Sequence, residues 1–362
     1  MKRRDSMATT MLLGVALLAS ACGSPDFSAA GAAGSGGAAG GAAGAGGSDA
    51  GVSCPACGGG EYCQIATGKC VGCGDLSELS FGPPEALTAI NQNPAGGLRF
   101  PRAAGPNGDA LVYVADNNAM KPTGHQIWFA VNPDSDYGAR VSDSTVSASG
   151  PLSVEFDFVA GTTSHFLYDR VKANGPSTGE RDLYATELGP GSIQLSGGLP
   201  GPFNGTSGAD DYSIAVAPDV HRAWWMSDRG GAGRRLVSFA WAPVGAPQPI
   251  DLNVRVDPQH TCPRAGDDAT PWVTPDGKLM LFSATRLAVG CHPADSGKRG
   301  LFRIELDSDS GRPGFGAVGE PLASLVQKGV DQTDPSLSPD LCTLYYAADD
   351  GKGFKLYRAP RR

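Results

Sequence analysis

Asp331…Ser338-Pro339-Asp340…Leu344-Tyr345-Tyr346-Ala347-Ala348-Asp349 is one copy of a phrase that occurs three times in the second half of the chain. The other copies are Asp210-Asp211…Ala217-Pro218-Asp219…Trp224-Trp225-Met226-Ser227-Asp228-Arg229 and Asp267-Asp268…Thr274-Pro275-Asp276-Gly277…Leu281-Phe282-Ser283-Ala284-Thr285-Arg286. Each reads as an aspartate, a short mixed strand, a Pro-Asp turn, and a heavily apolar strand ending in polar residues. Proline fixes φ at one corner of the turn, and Gly277 accepts positive φ at the next. Val220 and Leu341 stand where the phrase would place glycine, so their turns are expected to differ in type or to carry strain. A phrase of short strands and turn dipeptides repeating about every 60 residues marks a radial or solenoidal β array.

Two weaker units lie upstream. One holds Pro106-Asn107-Gly108, then Ala110-Leu111-Val112-Tyr113-Val114-Ala115-Asp116 and Gln126-Ile127-Trp128-Phe129-Ala130. The other holds Leu152-Ser153-Val154-Glu155-Phe156-Asp157-Phe158, then His165-Phe166-Leu167-Tyr168-Asp169-Arg170 and Asp182-Leu183-Tyr184-Ala185-Thr186. From about residue 76 onward no useful stretch has a helical period; apolar runs are short, alternating, and bounded by Gly, Pro, Asp and Asn. The fold class is therefore all-β, with five units. Trp128, Trp224, Trp225 and Trp272 fall in strands and read as core.

Residues 335–346 and 271–282 resemble the TolB-type β-propeller repeat, whose signature is Pro-x-x-Ser-Pro-Asp-Gly, a strand ending Ser-Asp-Arg, and a strand of Leu-Tyr type. The resemblance covers roughly residues 76–362 and implies a TolB-like β-propeller. Five blades are expected, or six, as in TolB, if residues 186–206 or 240–262 hold a further unit. It implies a fold and no particular activity, because propellers host many. A ring with unjoined ends would expose strand edges. The last unit lacks an outer strand, and residues 81–91 look like an orphan one, so they are expected to complete the last blade.

The N-terminus reads as an export signal over residues 1–21. Lys2, Arg3 and Arg4 precede an apolar run, Met11 to Leu18, too short to span a bilayer. Leu18-Ala19-Ser20-Ala21-Cys22 is similar to a lipobox, which makes Cys22 the expected site of lipidation; ordinary cleavage after Ala21 is the competing reading. Gly23 and Ser24 follow, with no aspartate there to signal inner-membrane retention, so an outer-membrane anchor is expected, on the periplasmic or cell-surface side. Residues 22–53 are mostly Gly, Ala and Ser and read as a flexible tether. Net charge is −8, and a cleaved leader takes Lys2, Arg3, Arg4 and Asp5 with it, leaving the chain more acidic still. Such a chain is a poor match for nucleic acid.

Residues 54–75 form a cysteine-rich segment with Cys54, Cys57, Cys63, Cys70 and Cys73. Two C-x-x-C pairs could hold zinc, but an exported chain favours a disulfide knot. Setting aside Cys22, eight cysteines remain, the other three being Cys262, Cys291 and Cys342. Cys262 and Cys291 flank strands of one unit and could pair. Cys342 is then left for a clustered partner, and Cys73 is the nearest. His260 beside Cys262, and Cys291-His292, could instead frame zinc, the weaker reading.

Asp210, Asp267 and Asp331 each stand eight residues before the proline of their turn. A kept register points to a shared place at one rim of the ring, where Arg170, Asp228, Arg229, Arg286, Asp349 and Asp350 are also expected. These residues either pair across blades or form a polar rim able to take a peptide, a sugar or Ca²⁺. No other cofactor is expected. Gly205-Thr206-Ser207-Gly208-Ala209 fails the serine-hydrolase pattern. The expectation is a monomeric, non-enzymatic lipoprotein whose propeller binds an envelope protein or glycan. A lyase or glycosidase using rim carboxylates is the alternative, and a structural envelope component in the manner of TolB a third reading.

Overall fold

The computed structural model describes residues 62–64, 69–71, 73, 76, 79–104, 110–116, 125–140, 156–158, 165–171, 181–189, 192–198, 211–217, 222–227, 235–240, 248–249, 268–274, 276–285, 298–307, 309–314 and 319–362. A small hairpin comes first, β1 (Tyr62–Gln64) with β2 (Lys69–Val71), in which Cys63 and Cys70 are backbone partners. β3 (Glu85–Ala86) follows, then a single 3₁₀ turn at Ile90–Gln92.

The remaining strands build blades in chain order. Blade 1 is β4 (Arg99–Ala104), β5 (Ala110–Asp116), β6 (His125–Ala130) and β7 (Ala139–Arg140). Blade 2 is β8 (Phe156–Phe158), β9 (His165–Val171), β10 (Arg181–Gly189) and β11 (Ser192–Gly198). Blade 3 is β12 (Asp211–Ala217), β13 (Arg222–Ser227), β14 (Arg235–Ala240) and β15 (Gln248–Pro249). Blade 4 is β16 (Asp268–Val273), β17 (Leu279–Thr285), β18 (Arg299–Asp307) and β19 (Arg312–Pro313), with β20 (Glu320–Pro321) also on β18. Blade 5 is β21 (Asp331–Leu337), β22 (Thr343–Asp349) and β23 (Lys355–Pro360), with β3 as its outer strand. The first strands β4, β8, β12, β16 and β21 each touch the next, and β21 returns to β4. Five sheets among the described residues thus close into a propeller, one for each unit read from the sequence.

Closure joins the two ends of the chain. β3 pairs with β23, Phe81 bridges Arg361, and Leu87 N–H donates to the Leu356 carbonyl at 3.0 Å. The Asn91 side chain spans the same strand, donating to the Leu356 carbonyl and accepting from its N–H. Phe81, Leu87 and Ile90 are buried by this contact. Cys73, just upstream, is disulfide-bonded to Cys342 in the β21–β22 turn.

The second strands β5, β13, β17 and β22 are buried along nearly their whole length because each has a blade on either side. In β17, Met280, Phe282 and Ala284 pack with Trp224 and Met226 of blade 3, while Leu279 and Leu281 pack with Leu337, Leu344 and Tyr346 of blade 5. In β22, Leu344 and Tyr346 face blade 4, and Tyr345 and Ala347 face Leu111 and Tyr113 of blade 1. Alternate residues thus serve alternate seams, so a one-residue slip would mispack both. Each large side chain buried this way contributes roughly 1.5–3 kcal/mol.

The Pro-Asp turns explain their residues. Thr274 Oγ1 donates to Asp276 Oδ1 at 2.6 Å, Lys278 N–H donates to the same oxygen, and Leu279 N–H donates to Thr274 Oγ1. Ser338, Asp340, Cys342 and Thr343 repeat this pattern one blade later. Gly277 has φ 66° and Leu341 φ 57°, so the turn without glycine keeps the same left-handed geometry and carries the strain itself. Of the two outcomes expected for Leu341, strain is the one observed.

Candidate functional site at the centre and rim of the ring

Inner strands bring one unexpected backbone feature to the ring centre. Phe100, Ser213, Thr270 and Asp334 have φ of 51–59°, and each sits where the register between inner and second strand shifts. These are β-bulges with a non-glycine residue in the left-handed region, a costly conformation that surrounding contacts must hold. Ser213, Thr270 and Asp334 each lie five residues before the proline of their turn. The bulge re-aims side chains that would otherwise follow the pleat.

At three neighbouring blades the bulges meet in a buried polar seam. Asp334, fully buried, accepts from Arg99 Nε at 2.6 Å and Nη2 at 3.2 Å, from Phe100 N–H at 3.3 Å, and from Thr333 Oγ1 at 2.9 Å. Its own N–H donates to Thr270 Oγ1 of blade 4, which pairs with Ser283 Oγ at 2.7 Å. Arg102 donates to the Asp334 and Pro101 carbonyls, and Ser336 Oγ donates to the Pro101 carbonyl. Burial pushes the Asp334 carboxyl up, but the charge and hydrogen bonds of Arg99 outweigh it and hold the group below its ordinary range. The Arg99 guanidinium thus points at a carboxyl that it favours in its charged form.

Asp331 stands at the rim end of β21. Its Oδ1 accepts from the Arg299 N–H at 2.8 Å and from Nε at 3.1 Å, and its Oδ2 accepts from Nη2 at 2.9 Å. Burial raises this carboxyl too, and the bidentate Arg299 brings it below the ordinary value. The Arg99 guanidinium lies 4.7 Å from the Phe354 ring centroid, and that of Arg299 lies 5.9 Å from it. Phe354 therefore gathers the arginines of both seams. Asp349 instead serves its own turn, with Oδ1 accepting from Gly351 and Gly353 N–H at 2.7 and 2.8 Å. Asp350 does the same for Lys352.

Of the rim residues expected from sequence, Asp331 and Asp349 are backbone partners across β21 and β22. Arg170 lies in β9 opposite Asp182. Asp210, Asp267, Asp228, Arg229 and Arg286 lie outside the described residues, as do Cys22, Cys54, Cys57, Cys262 and Cys291. Among the described residues, no group of three His, Cys, Asp or Glu side chains could hold a metal ion. Trp224 and Trp225 are fully buried, and Trp224 Nε1 donates to the Gly311 carbonyl, as core residues would. Trp128 stacks on Tyr113 at 6.5 Å between centroids, and Trp272 packs against the blade 4–blade 5 seam.

Sequence reasoning missed Asp334, Arg99 and Arg299. A signal for the first was present: a small polar residue, Ser, Thr or Asp, recurs five residues before the turn proline in three units. The arginines had none, since their partners lie in adjacent blades, distant in sequence.

No protein-family model matches the chain, and no curated protein does. Solved structures that resemble it include TolB from Acinetobacter baumannii, at 13% identity and a TM-score of 0.41, covering 83% of this chain and 66% of that one. This chain thus spans just under two thirds of that TolB. A thermostable family-43 glycoside hydrolase is similar at 14% identity and TM-score 0.45, covering 74% of this chain and 91% of that one. Oligogalacturonate lyase from Vibrio parahaemolyticus is similar at 9% identity and TM-score 0.39, with 76% and 93% covered.

Proposed function

We propose that the protein is an exported lipoprotein, held on the outer membrane through an acylated Cys22, whose propeller is a non-enzymatic scaffold for an envelope protein or glycan. The observation that carries the scaffold reading is the state of the carboxylates. Both oxygens of Asp331 and both of Asp334 are engaged by arginines of neighbouring blades, an arrangement that suits holding a ring together. A general acid would have to keep its proton near neutral pH, and both carboxyls are held below their ordinary range; as acceptors, both are already occupied by the arginines. The Cys73–Cys342 bond supports export to an oxidising compartment. The lipobox-like sequence before Cys22 and the absence of a basic cluster support an acyl anchor without nucleic-acid binding.

Cys22→Ser should move the protein from the membrane fraction to the soluble fraction; full retention in the membrane would overturn the anchor. The soluble variant then serves as bait with native envelope material. Sustained cleavage of a polysaccharide by the same preparation would replace the scaffold reading with the enzyme one.

A further inference from the structure

We propose that the propeller is carried with the face of its Pro-Asp turns toward the membrane and the face bearing Asp331, Asp349 and Phe354 away from it. This rests on the acyl anchor at Cys22. The register of blade 5 defines the two faces. Leu337 opposes Leu344 beside the Pro-Asp turn, and Asp331 opposes Asp349 at the other end. Thr343 opposes Pro360, so β23 finishes on the Pro-Asp face, whereas Ala348 opposes Lys355 beside the rim.

The chain arriving from the N-terminus is fixed to the Pro-Asp face at two points. Arg362 N–H donates to the Ser80 carbonyl at 3.0 Å, and Gly82 N–H donates to the Pro360 carbonyl at 2.7 Å. Cys73 is bonded to Cys342 in the turn itself, and Arg361 N–H donates to the Cys342 carbonyl at 2.8 Å. Only after this does the chain run along β23 to the rim, where Leu98 N–H meets the Phe354 carbonyl. The disulfide therefore places the attachment point of the preceding chain on the Pro-Asp face, at Cys73.

A seven-residue strand is about 23 Å long, which separates the two faces, so the side of attachment decides which face has room for a macromolecule.

Two lysines report on the faces without any substitution. Lys278 lies beside the Pro-Asp turn of blade 4 and Lys352 in the β22–β23 turn at the rim, with side chains 66% and 77% exposed. The full-length protein is purified and reconstituted into phosphatidylethanolamine–phosphatidylglycerol vesicles. It is then labelled with an amine-reactive dextran too bulky to pass beneath the ring, and each lysine is read by mass spectrometry. Labelling of Lys278 relative to Lys352 should fall severalfold on reconstitution compared with the same protein in detergent. An unchanged ratio, or a selective loss at Lys352, overturns the orientation. Should the purified protein carry no acyl group, the anchor reading fails separately. The mature chain is then mounted on nickel-chelating vesicles by a histidine tag in place of Cys22, and the same ratio decides the orientation.

Discussion

Asp331 and Asp334 lie on one strand, each gripped by two nitrogens of an arginine, yet they face opposite neighbours and opposite environments. Asp331 reaches back to Arg299 of blade 4, with side chains 17% and 24% exposed. Asp334 reaches forward to Arg99 of blade 1 and is wholly buried. The same ion pair thus does two jobs. At the rim, water reaches both partners and competes for the pair; at the centre, Arg99 keeps 21% of its side chain exposed but Asp334 none, so losing Arg99 strands the carboxylate in a dry seam. A ligand could trade places with Arg299 on Asp331, whereas at Asp334 an exchange would open the ring. The comparison separates the residue that could bind from the residue that must hold.

Asp334→Ala should cost about 3–5 kcal/mol, measured by urea denaturation, since it empties a buried site and takes the acceptor from Arg99, the Phe100 N–H and the Thr333 hydroxyl together. A loss no greater than that of Asp331→Ala would break the distinction. Asp331→Ala should cost only about 1–2 kcal/mol, in line with a charged hydrogen bond that water can replace in part. Acid should separate the two further. Both carboxyls are held below their ordinary range, so the unfolded chain binds protons first and stability rises with pH. Their contribution is fully present above about pH 4, the unfolded value, and is lost as pH falls through the folded ones. Asp334→Asn should therefore flatten the acid limb of a stability–pH curve more than Asp331→Asn does; equal flattening would put the two seams on a par. The smallest effect is expected at the turn below them. Leu341→Gly relieves a left-handed leucine but removes its packing against blade 5, so stability should change by less than about 1 kcal/mol.

Much of the scaffold was legible in the sequence because its determinants are local. Pro275-Asp276-Gly277 and Pro339-Asp340 mark turns by their own backbone limits, and the unbroken apolar run Leu279–Phe282 marks a strand between two blades. Closure by residues 81–91 was legible through an edge-counting argument, since an unpaired outer strand at one end needs a home. The seam was harder to see. Asp331 stood out by its distance from the proline, but Asp334 becomes central only because a bulge at φ 59° turns it inward, and no glycine announces that bulge. Arg99 and Arg299 belong to other blades, so no spacing within a unit could pair them with their aspartates. The rim was therefore legible as a place, and its occupancy by arginines was not.

The way blade 5 is shared between the two ends of the chain also has a consequence for synthesis. β3 leaves the ribosome long before β23, and in the interval Phe81 lacks the blade 4–blade 5 seam while Leu87 and Ile90 have only the blade 1 side of theirs. The pairing of that segment with β23 and Arg361 is among the most distant in sequence within the described residues, so it forms late and against a large loop-closure cost. A newborn chain therefore passes through a stage in which four blades can stack while the fifth is incomplete and the ring gapes. That interval is when a holdase or an isomerase of disulfides would matter most.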